Sequence, residues 1–180
     1  MISKLNVLTR HLWLDASDTA RAIPPDLLER LAQRVAASER RHTGEIRICV
    51  ESSLPVSYLW RLGRNTPLRV LIRERAMTMF GKLRVWDTEH NNGILIYLLL
   101  AEHAIEIVAD RSVARHVSPD QWQAMVARMA NAFRERRYED GLTQALEECS
   151  ALLMQHFALP LEAGLAPANS NELPDTPALQ

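Results

Sequence analysis

The sequence lacks the features that would place it in a membrane or in a secretory pathway. No apolar run reaches the ~18 residues that a membrane-spanning helix needs. The N-terminus, Met1 to Asn6, has one basic residue but neither a long apolar region nor a small-residue cleavage site. We therefore expect a cytoplasmic protein that is not itself transmembrane and has no C-terminal membrane anchor.

The sequence also lacks the common signatures of enzymes and metal centres. It has no Gly-rich phosphate loop, no nucleophile elbow and no cysteine pair at zinc spacing. Its two cysteines, Cys49 and Cys149, fall in a predicted strand and a predicted helix, so we expect both to be reduced. No nucleophile is recognisable, and the six histidines are scattered along the chain.

Charge is unevenly distributed although the net charge is only -1. Residues 1–84 contain 15 Lys and Arg against 8 Asp and Glu, whereas residues 85–180 contain 6 against 14. Such a dipolar chain could orient on an anionic surface. No aromatic residues interleave with the arginines as nucleic-acid binding would need, so we expect no nucleic-acid partner.

The clearest structural signal is a pair of apolar stretches in the middle of the chain. Residues 94–100 are apolar at every position, which predicts a central strand covered on both faces. Residues 104–110 alternate, and only three residues separate the two runs, so an antiparallel hairpin is predicted. The hairpin returns Asp110 to the vicinity of Asn91 and Asn92.

The remaining patterns predict helices around this hairpin. Residues 45–51 alternate as a strand, and the order helix, strand, helix, strand, strand, helix, helix favours a right-handed parallel crossover. The predicted fold class is α/β, a three-layer α/β/α sandwich with a small mixed sheet. We expect an N-terminal arm over residues 1–23, the α/β domain over 24–160 and a disordered tail over 161–180.

Oxygen-bearing side chains gather at the predicted start of the central strand. Hard oxygen donors of this type suit Ca²⁺ or Mg²⁺. The candidate metal ligands are Glu45, Asp87, Glu89, Asn91 and Asp110. In a second interpretation the asparagines only form a turn, while Asp110 pairs with Arg111 or caps the following segment. Ligands of α/β sheets usually bind at the opposite edge, near Glu51 in this chain.

A second candidate metal site lies at the boundary between a helix and a strand. Glu39, His42 and Glu45 recur at intervals of three residues. The spacing alone cannot establish a shared site, because the regular helix geometry ends within it. A structural cap with surface ions is the alternative.

Five short segments together resemble the TPM domain, a family named for a thylakoid lumen protein, a photosystem II repair protein and a nematode receptor modulator. The resemblance runs from about Pro25 to Phe157. The segments are Gly44-Glu45-Ile46-Arg47, Met79-Phe80, Asn91-Asn92-Gly93-Ile94-Leu95-Ile96-Tyr97, Val108-Ala109-Asp110, and Phe133 followed by Tyr138-Glu139-Asp140-Gly141-Leu142.

The resemblance implies an α/β/α fold, divalent-cation binding as in some members, and a link to membrane-protein maintenance. Acid phosphatase activity is reported for plant members. This chain has Asp110-Arg111-Ser112 where many members carry a Gly-aromatic-Gly turn.

Two functions are therefore expected as alternatives. The first is a cation-binding, non-catalytic accessory module for a protein partner associated with a membrane. The second is a metal-assisted phosphatase acting on phosphomonoesters, in which Arg111 beside Asp110 would neutralise phosphate charge.

Overall fold

The computed structural model describes residues 4–63, 65–159 and 171–180. The helices are α1 (Lys4–Trp13), α2 (Ala16–Ala22), α3 (Pro25–Glu39), α4 (Val56–Leu59), α5 (Leu68–Lys82), α6 (Arg111–Ala114), α7 (Pro119–Arg134) and α8 (Tyr138–Phe157). The strands are β1 (Ile46–Glu51), β2 (Ile94–Leu99), β3 (Ala104–Ala109) and β4 (Ala178–Leu179).

The strands form a mixed sheet in the order β3-β2-β1-β4. β1 runs parallel to β2, with Ile46 opposite Ile94. β2 and β3 form the predicted antiparallel hairpin, in which Ile94 lies opposite Ala109. The predicted α/β class with a small mixed sheet is thus confirmed.

Both faces of the sheet are covered, which explains why β2 is apolar at every position. Side chains of α3, α7 and α8 pack against Ile94, Ile96 and Leu98 on one face. Side chains of α5 pack against Leu95 and Tyr97 on the other face. A strand that is buried on both faces has no solvated position where a polar side chain would be favoured.

The N-terminal arm expected over residues 1–23 contains α1 and α2. Val7 and His11 of α1 are buried. The Leu54 N–H donates to His11 Nδ1 at 2.9 Å, which leaves the imidazole proton on Nε2, 3.2 Å from Glu102 Oε1. The hydrogen bond from Leu54 therefore attaches α1 to the loop after β1, and Nε2 of the same buried histidine lies beside the turn after β2.

The prediction of a disordered tail over 161–180 is wrong for residues 171–180, and residues 161–170 lie outside the described residues. β4 pairs in parallel with β1. The Gln180 N–H donates to Val50 O at 2.9 Å, and the Ser52 N–H donates to Gln180 O at 3.2 Å. Leu173 is buried on the α5 face. Two strand residues are too short a segment to give a periodic signal, although they occupy the free side of β1.

None of the described helices is both long enough and apolar enough to cross a membrane.

Candidate functional site

The candidate site lies at the end of the sheet where β1 and β2 begin. The Ile94 N–H donates to Glu45 O at 2.8 Å, and the Asp110 N–H donates to Gly93 O at 2.9 Å. Glu45 and Asp110 therefore lie on either side of Gly93. The hairpin brings Asp110 back to this end of the sheet, as predicted from the sequence.

Close approach of the backbone explains the glycine between the asparagines and β2. A Cβ atom on Gly93 would lie 2.1 Å from Val85 O, which is far inside van der Waals contact. Asn91 has a φ of 51°, a left-handed conformation that asparagine tolerates better than most residues. The Asn91 carbonyl accepts a hydrogen bond from Ser112 N at 3.1 Å. These residues form a tight turn that also holds the start of α6.

Asp110 combines a capping role with an unused oxygen. Its Oδ1 accepts from Arg111 N at 2.7 Å, so the carboxylate caps α6. Its Oδ2 is buried and accepts no hydrogen bond from any residue that the structure describes. Capping uses only one oxygen of the carboxylate. The interpretation of Asp110 as a helix cap is therefore compatible with a ligand at Oδ2.

Asn92 presents a second buried acceptor at this end of the sheet. Its N–H donates to Thr88 Oγ1 at 3.1 Å, and its Nδ2 donates to Thr43 Oγ1 at 3.2 Å. Its Oδ1 is buried and has no donor among the described residues. Most buried oxygens in folded proteins have a partner, and an ion or a water molecule can take that place where the chain offers no donor.

Glu45 is completely buried beside the C-terminal segment. Its Oε2 accepts from Leu173 N at 3.2 Å, whereas its Oε1 lacks a hydrogen-bond donor within the described part of the chain. Burial, together with the charges of Glu172 and Asp175, raises the pKa of Glu45 to about 7.

Glu39 lies close to Glu45 and is also buried. Its Oε1 accepts from Ile46 N at 2.9 Å, which ties the end of α3 to β1. Burial raises the pKa of Glu39 to about 9, and the charge of Glu45 contributes to the same direction. The two side chains form a buried pair of carboxyl groups that favours protonation over two full negative charges.

The structure does not gather all five predicted ligands into one cluster. Asp87 and Glu89 are exposed, and the backbone N–H of Glu89 donates to Glu172 Oε2. Among the described residues, no group of three or more His, Cys, Asp or Glu side chains is placed to hold a metal ion. Any cation at this end of the sheet would need amide, carbonyl or water oxygens beside a carboxylate.

The alternative trio of Glu39, His42 and Glu45 is tied into the fold by hydrogen bonds. His42 Nδ1 lies 2.9 Å from Gly44 O, and Nε2 lies 2.9 Å from Ser38 Oγ. A carbonyl oxygen can only accept, so Nδ1 carries the proton and Nε2 accepts from the hydroxyl. Burial lowers the pKa of His42 to about 4, so the ring is neutral at pH 7. Both ring nitrogens are engaged in joining α3 to β1.

Sequence reasoning identifies Arg111 beside Asp110 but misses Arg115, which lines the same cleft. The cleft has a volume of about 230 Å³, and its walls are Asn91, Arg111, Ser112 and Arg115. Arg111 is 80% exposed, and its Nε lies 3.9 Å from Asp110 Oδ1. The i,i+4 spacing from Arg111 is the signal that could have revealed Arg115.

At the opposite end of the sheet, where β1 ends, the carboxylate belongs to a buried ion pair and is not exposed. Both oxygens of Glu51 accept hydrogen bonds from Arg75, and the Tyr97 hydroxyl donates to Oε2 at 2.6 Å. All three side chains are buried. The Glu51 carboxylate is therefore occupied within the fold.

Comparison with known proteins gives a family and a structural neighbour. The sequence profile of the TPM domain matches residues 16–152. The NMR structure of the BA42 protein from the psychrophilic bacterium Bizionia argentinensis is similar, with a TM-score of 0.66, 21% identity, and coverage of 88% of this chain and 92% of that chain. No curated protein matches the sequence. Since the profile covers more than half of the chain, this protein belongs to the TPM domain family.

Proposed function

We propose that this chain is a divalent-cation-binding TPM domain that acts as a non-catalytic accessory module. The observation that carries the proposal is the buried Oδ2 of Asp110, an acceptor oxygen with no donor among the described residues. Leaving a charged acceptor buried and unpaired is costly, and a cation removes that cost.

The donors available around Asp110 suit Ca²⁺ or Mg²⁺. A carboxylate oxygen, asparagine oxygens and backbone carbonyls are the hard ligands that both ions prefer. Asp110 would supply the charge, and the buried Oδ1 of Asn92, which has no donor among the described residues, is a candidate for a second oxygen. Asn91 lines the adjoining cleft. Glu45, beyond Gly93, is the remaining predicted ligand with an unused buried oxygen.

The proposal of an accessory role rests on exposed apolar side chains and on the uneven charge distribution along the chain. Large apolar side chains are exposed near the N-terminus and after β1: Leu12 is 69%, Trp13 85% and Trp60 78% exposed. Exposed aromatic residues are typical anchors of protein interfaces. We propose a protein partner that is associated with a membrane, and the basic first half of the chain would favour an anionic surface.

Comparison of thermal unfolding in the presence of Ca²⁺ or Mg²⁺ with thermal unfolding in the presence of a chelator tests cation binding. We expect the cation to stabilise the wild-type protein by about 2.7 kcal/mol at a hundredfold excess over its dissociation constant. Asp110→Asn keeps the capping oxygen but removes the charge, so the stabilisation should disappear. Asp15→Asn is the control, because Asp15 also caps a helix, accepting from Ser17 N at the start of α2. A wild-type melting temperature that ignores millimolar cation would refute the proposal.

The arginine-lined cleft favours a second candidate function, a metal-assisted phosphatase acting on phosphomonoesters. Arg111 and Arg115 would bind the phosphate group, because guanidinium groups match phosphate oxygens in geometry and charge. A bound cation would supply Lewis-acid polarisation of the phosphoryl oxygen. Within the chain, the role of Asp110 would be to orient the start of α6, which leads into both arginines.

A turnover assay with a phosphomonoester separates the two functions. Cation binding without turnover supports the accessory module. Turnover that needs Mg²⁺, and that falls in both Asp110→Asn and Arg115→Gln, would instead support the phosphatase. Arg128→Gln on α7 is the control for loss of an exposed arginine.

A further inference from the structure

A second cavity lies at the other end of the sheet, where β2 ends. β2 has six residues, so the two ends are separated by roughly 20 Å. The cavity has a volume of about 480 Å³, which is in the range of small-molecule sites. Its walls come from α1, α2, the turn after β2 and the start of α8. Parallel β1 and β2 both have their carboxyl ends here, the usual location of ligands in α/β sheets.

Cationic side chains dominate the charged groups around this cavity. Arg10, Arg21 and Arg136 line it, against a single acid, Asp18. Arg10 contacts Glu102 and Arg21 contacts Asp18, each through one ion pair. The guanidinium of Arg136 makes no hydrogen bond or ion pair with the described residues. An uncompensated positive charge thus remains at the cavity.

His103 and Tyr138 add neutral hydrogen-bonding groups to the same wall. Their rings are stacked with centroids 6.4 Å apart, and the Tyr138 hydroxyl lies 3.4 Å from His103 Nδ1. Partial burial lowers the pKa of His103, and the charges of Arg136 and Arg10 lower it further, while Glu102 opposes them. The contact between them uses one of the two protons, so either the neutral imidazole or the hydroxyl donates to an anion.

Two of the residues at the cavity have backbone conformations that are unusual for their side chains. His103 has a φ of 48° and Arg136 a φ of 58°. A left-handed conformation costs a non-glycine residue about 1 kcal/mol or more, and such residues concentrate at ligand sites. The two turns place an imidazole and an unpaired guanidinium at one opening.

The rest of the wall is apolar. Trp13, Leu14, Ala22 and Leu100 line the cavity beside the charged groups. A bare inorganic ion would leave this apolar surface in contact with water. A ligand with both a charged group and an apolar body would use the whole cavity.

We propose that this cavity binds a small organic anion that carries a phosphate or carboxylate group on an apolar body. The anion contacts Arg136, with Arg10 and Arg21 completing the positive field, and its apolar part packs against Trp13 and Leu100. This cavity is separate from the proposed cation site at Asp110, so an experiment can refute either site without refuting the other.

Phenylphosphonate and benzoate are suitable probes, because both are stable to hydrolysis and share a phenyl body. We expect binding in the low millimolar range, as is typical of such small ligands. A bound anion should raise the pKa of His103, which NMR titration of the six histidines can follow, with His103→Gln assigning the signal. Tighter binding of phenylphosphonate would indicate a phosphate ligand, and tighter binding of benzoate a carboxylate ligand.

Arg136→Gln should weaken binding about tenfold, since it removes a charge-assisted hydrogen bond. Arg40→Gln is the matched control: Arg40 is exposed at the C-terminal end of α3, at the other end of the sheet. Asp110→Asn should leave binding unchanged. Equal binding of neutral benzyl alcohol, or wild-type affinity in a folded Arg136→Gln protein, would overturn the proposal, as would the lack of any saturable His103 shift.

Discussion

Arg75 and Glu51 form a bidentate ion pair inside the protein, with Nε 2.9 Å from Oε2 and Nη2 2.6 Å from Oε1. The pair joins α5 to the end of β1, and the Tyr97 hydroxyl donates to the same carboxylate. Hydrogen bonding to Glu51 raises the pKa of Arg75, and burial raises the pKa of Tyr97. Every group in this cluster has a partner, so the loss of one member leaves a charge buried alone.

Arg75→Met should therefore lower the free energy of unfolding by about 3–5 kcal/mol, the usual cost of breaking a buried pair from one side. Arg69→Met on the exposed side of α5 should change it by less than about 0.5 kcal/mol. Urea unfolding of both variants measures the difference. If Arg75→Met is as stable as Arg69→Met, the ion pair does not hold α5 to the sheet.

The Arg75–Glu51 pair also shows what the sequence can and cannot reveal. The apolar periodicity of α5 is sufficient to predict a helix, and it assigns Arg75 to an exposed side. The alternation of β1 suggests a polar face near an edge of the sheet, yet Arg47 and Glu51 are buried. Burial of a charge depends on a partner distant in sequence, and local patterns carry no information on that pairing.

The sequence likewise predicts one part of the candidate site and not the rest. The hairpin fixes the return of Asp110 to Gly93, because antiparallel pairing leaves little freedom once the strands are assigned. The exposure of Asp87 and Glu89 depends on the loop before β2, whose path follows no sequence periodicity. The contact of Glu45 with Leu173 is hidden for the same reason, since it joins residues 128 positions apart.

The buried carboxyl groups of Glu39 and Glu45 should make stability fall as pH rises. Their pKa values in the folded protein are raised to about 9 and about 7, above the ordinary value of 4.5. The folded state therefore holds protons that the unfolded chain releases, so the stabilisation is complete below about pH 4.5 and is lost as pH rises through 7 and 9.

Chemical unfolding between pH 5 and pH 9 measures this loss, which we expect to amount to several kcal/mol because both carboxyl groups release their protons in this range. The double variant Glu39→Gln, Glu45→Gln imitates the protonated carboxyl groups and should flatten the profile. Asp26→Asn, at an exposed position on α3, should leave the slope unchanged. A double variant with the wild-type slope would show that other groups titrate in this range.

The C-terminal segment should contribute to stability, because Leu173 is only 5% exposed and packs with the α5 face of the sheet. Leu173→Ala should cost about 2–4 kcal/mol by loss of buried apolar contacts. Leu12→Ala, at a side chain that is 69% exposed, is the control and should be nearly neutral. Deletion of residues 171–180 should lower the melting temperature by several degrees. An unchanged melting temperature would mean that the paired segment adds nothing to the fold.

Two helical glycines should respond in opposite ways to the same substitution. Alanine is a better helix former than glycine by about 1 kcal/mol, so each exchange begins with a similar gain. At Gly81 in α5 an added Cβ would meet nothing within 4 Å, and the gain should appear as increased stability. At Gly141 in α8 the Cβ would lie 2.6 Å from both Cε1 and Cζ of Phe133.

The Phe133 ring is fully buried and cannot move aside without disturbing the core. Overpacking in Gly141→Ala should therefore cost about 1–3 kcal/mol, which offsets the gain in helix propensity. The net change should be destabilising, while Gly81→Ala stabilises. Phe133→Leu should reduce the penalty at Gly141, because it shortens the group that the Cβ meets. Thermal unfolding of the single and double variants gives the coupling energy directly. A coupling energy of zero would show that the contact between α7 and α8 does not require glycine at position 141.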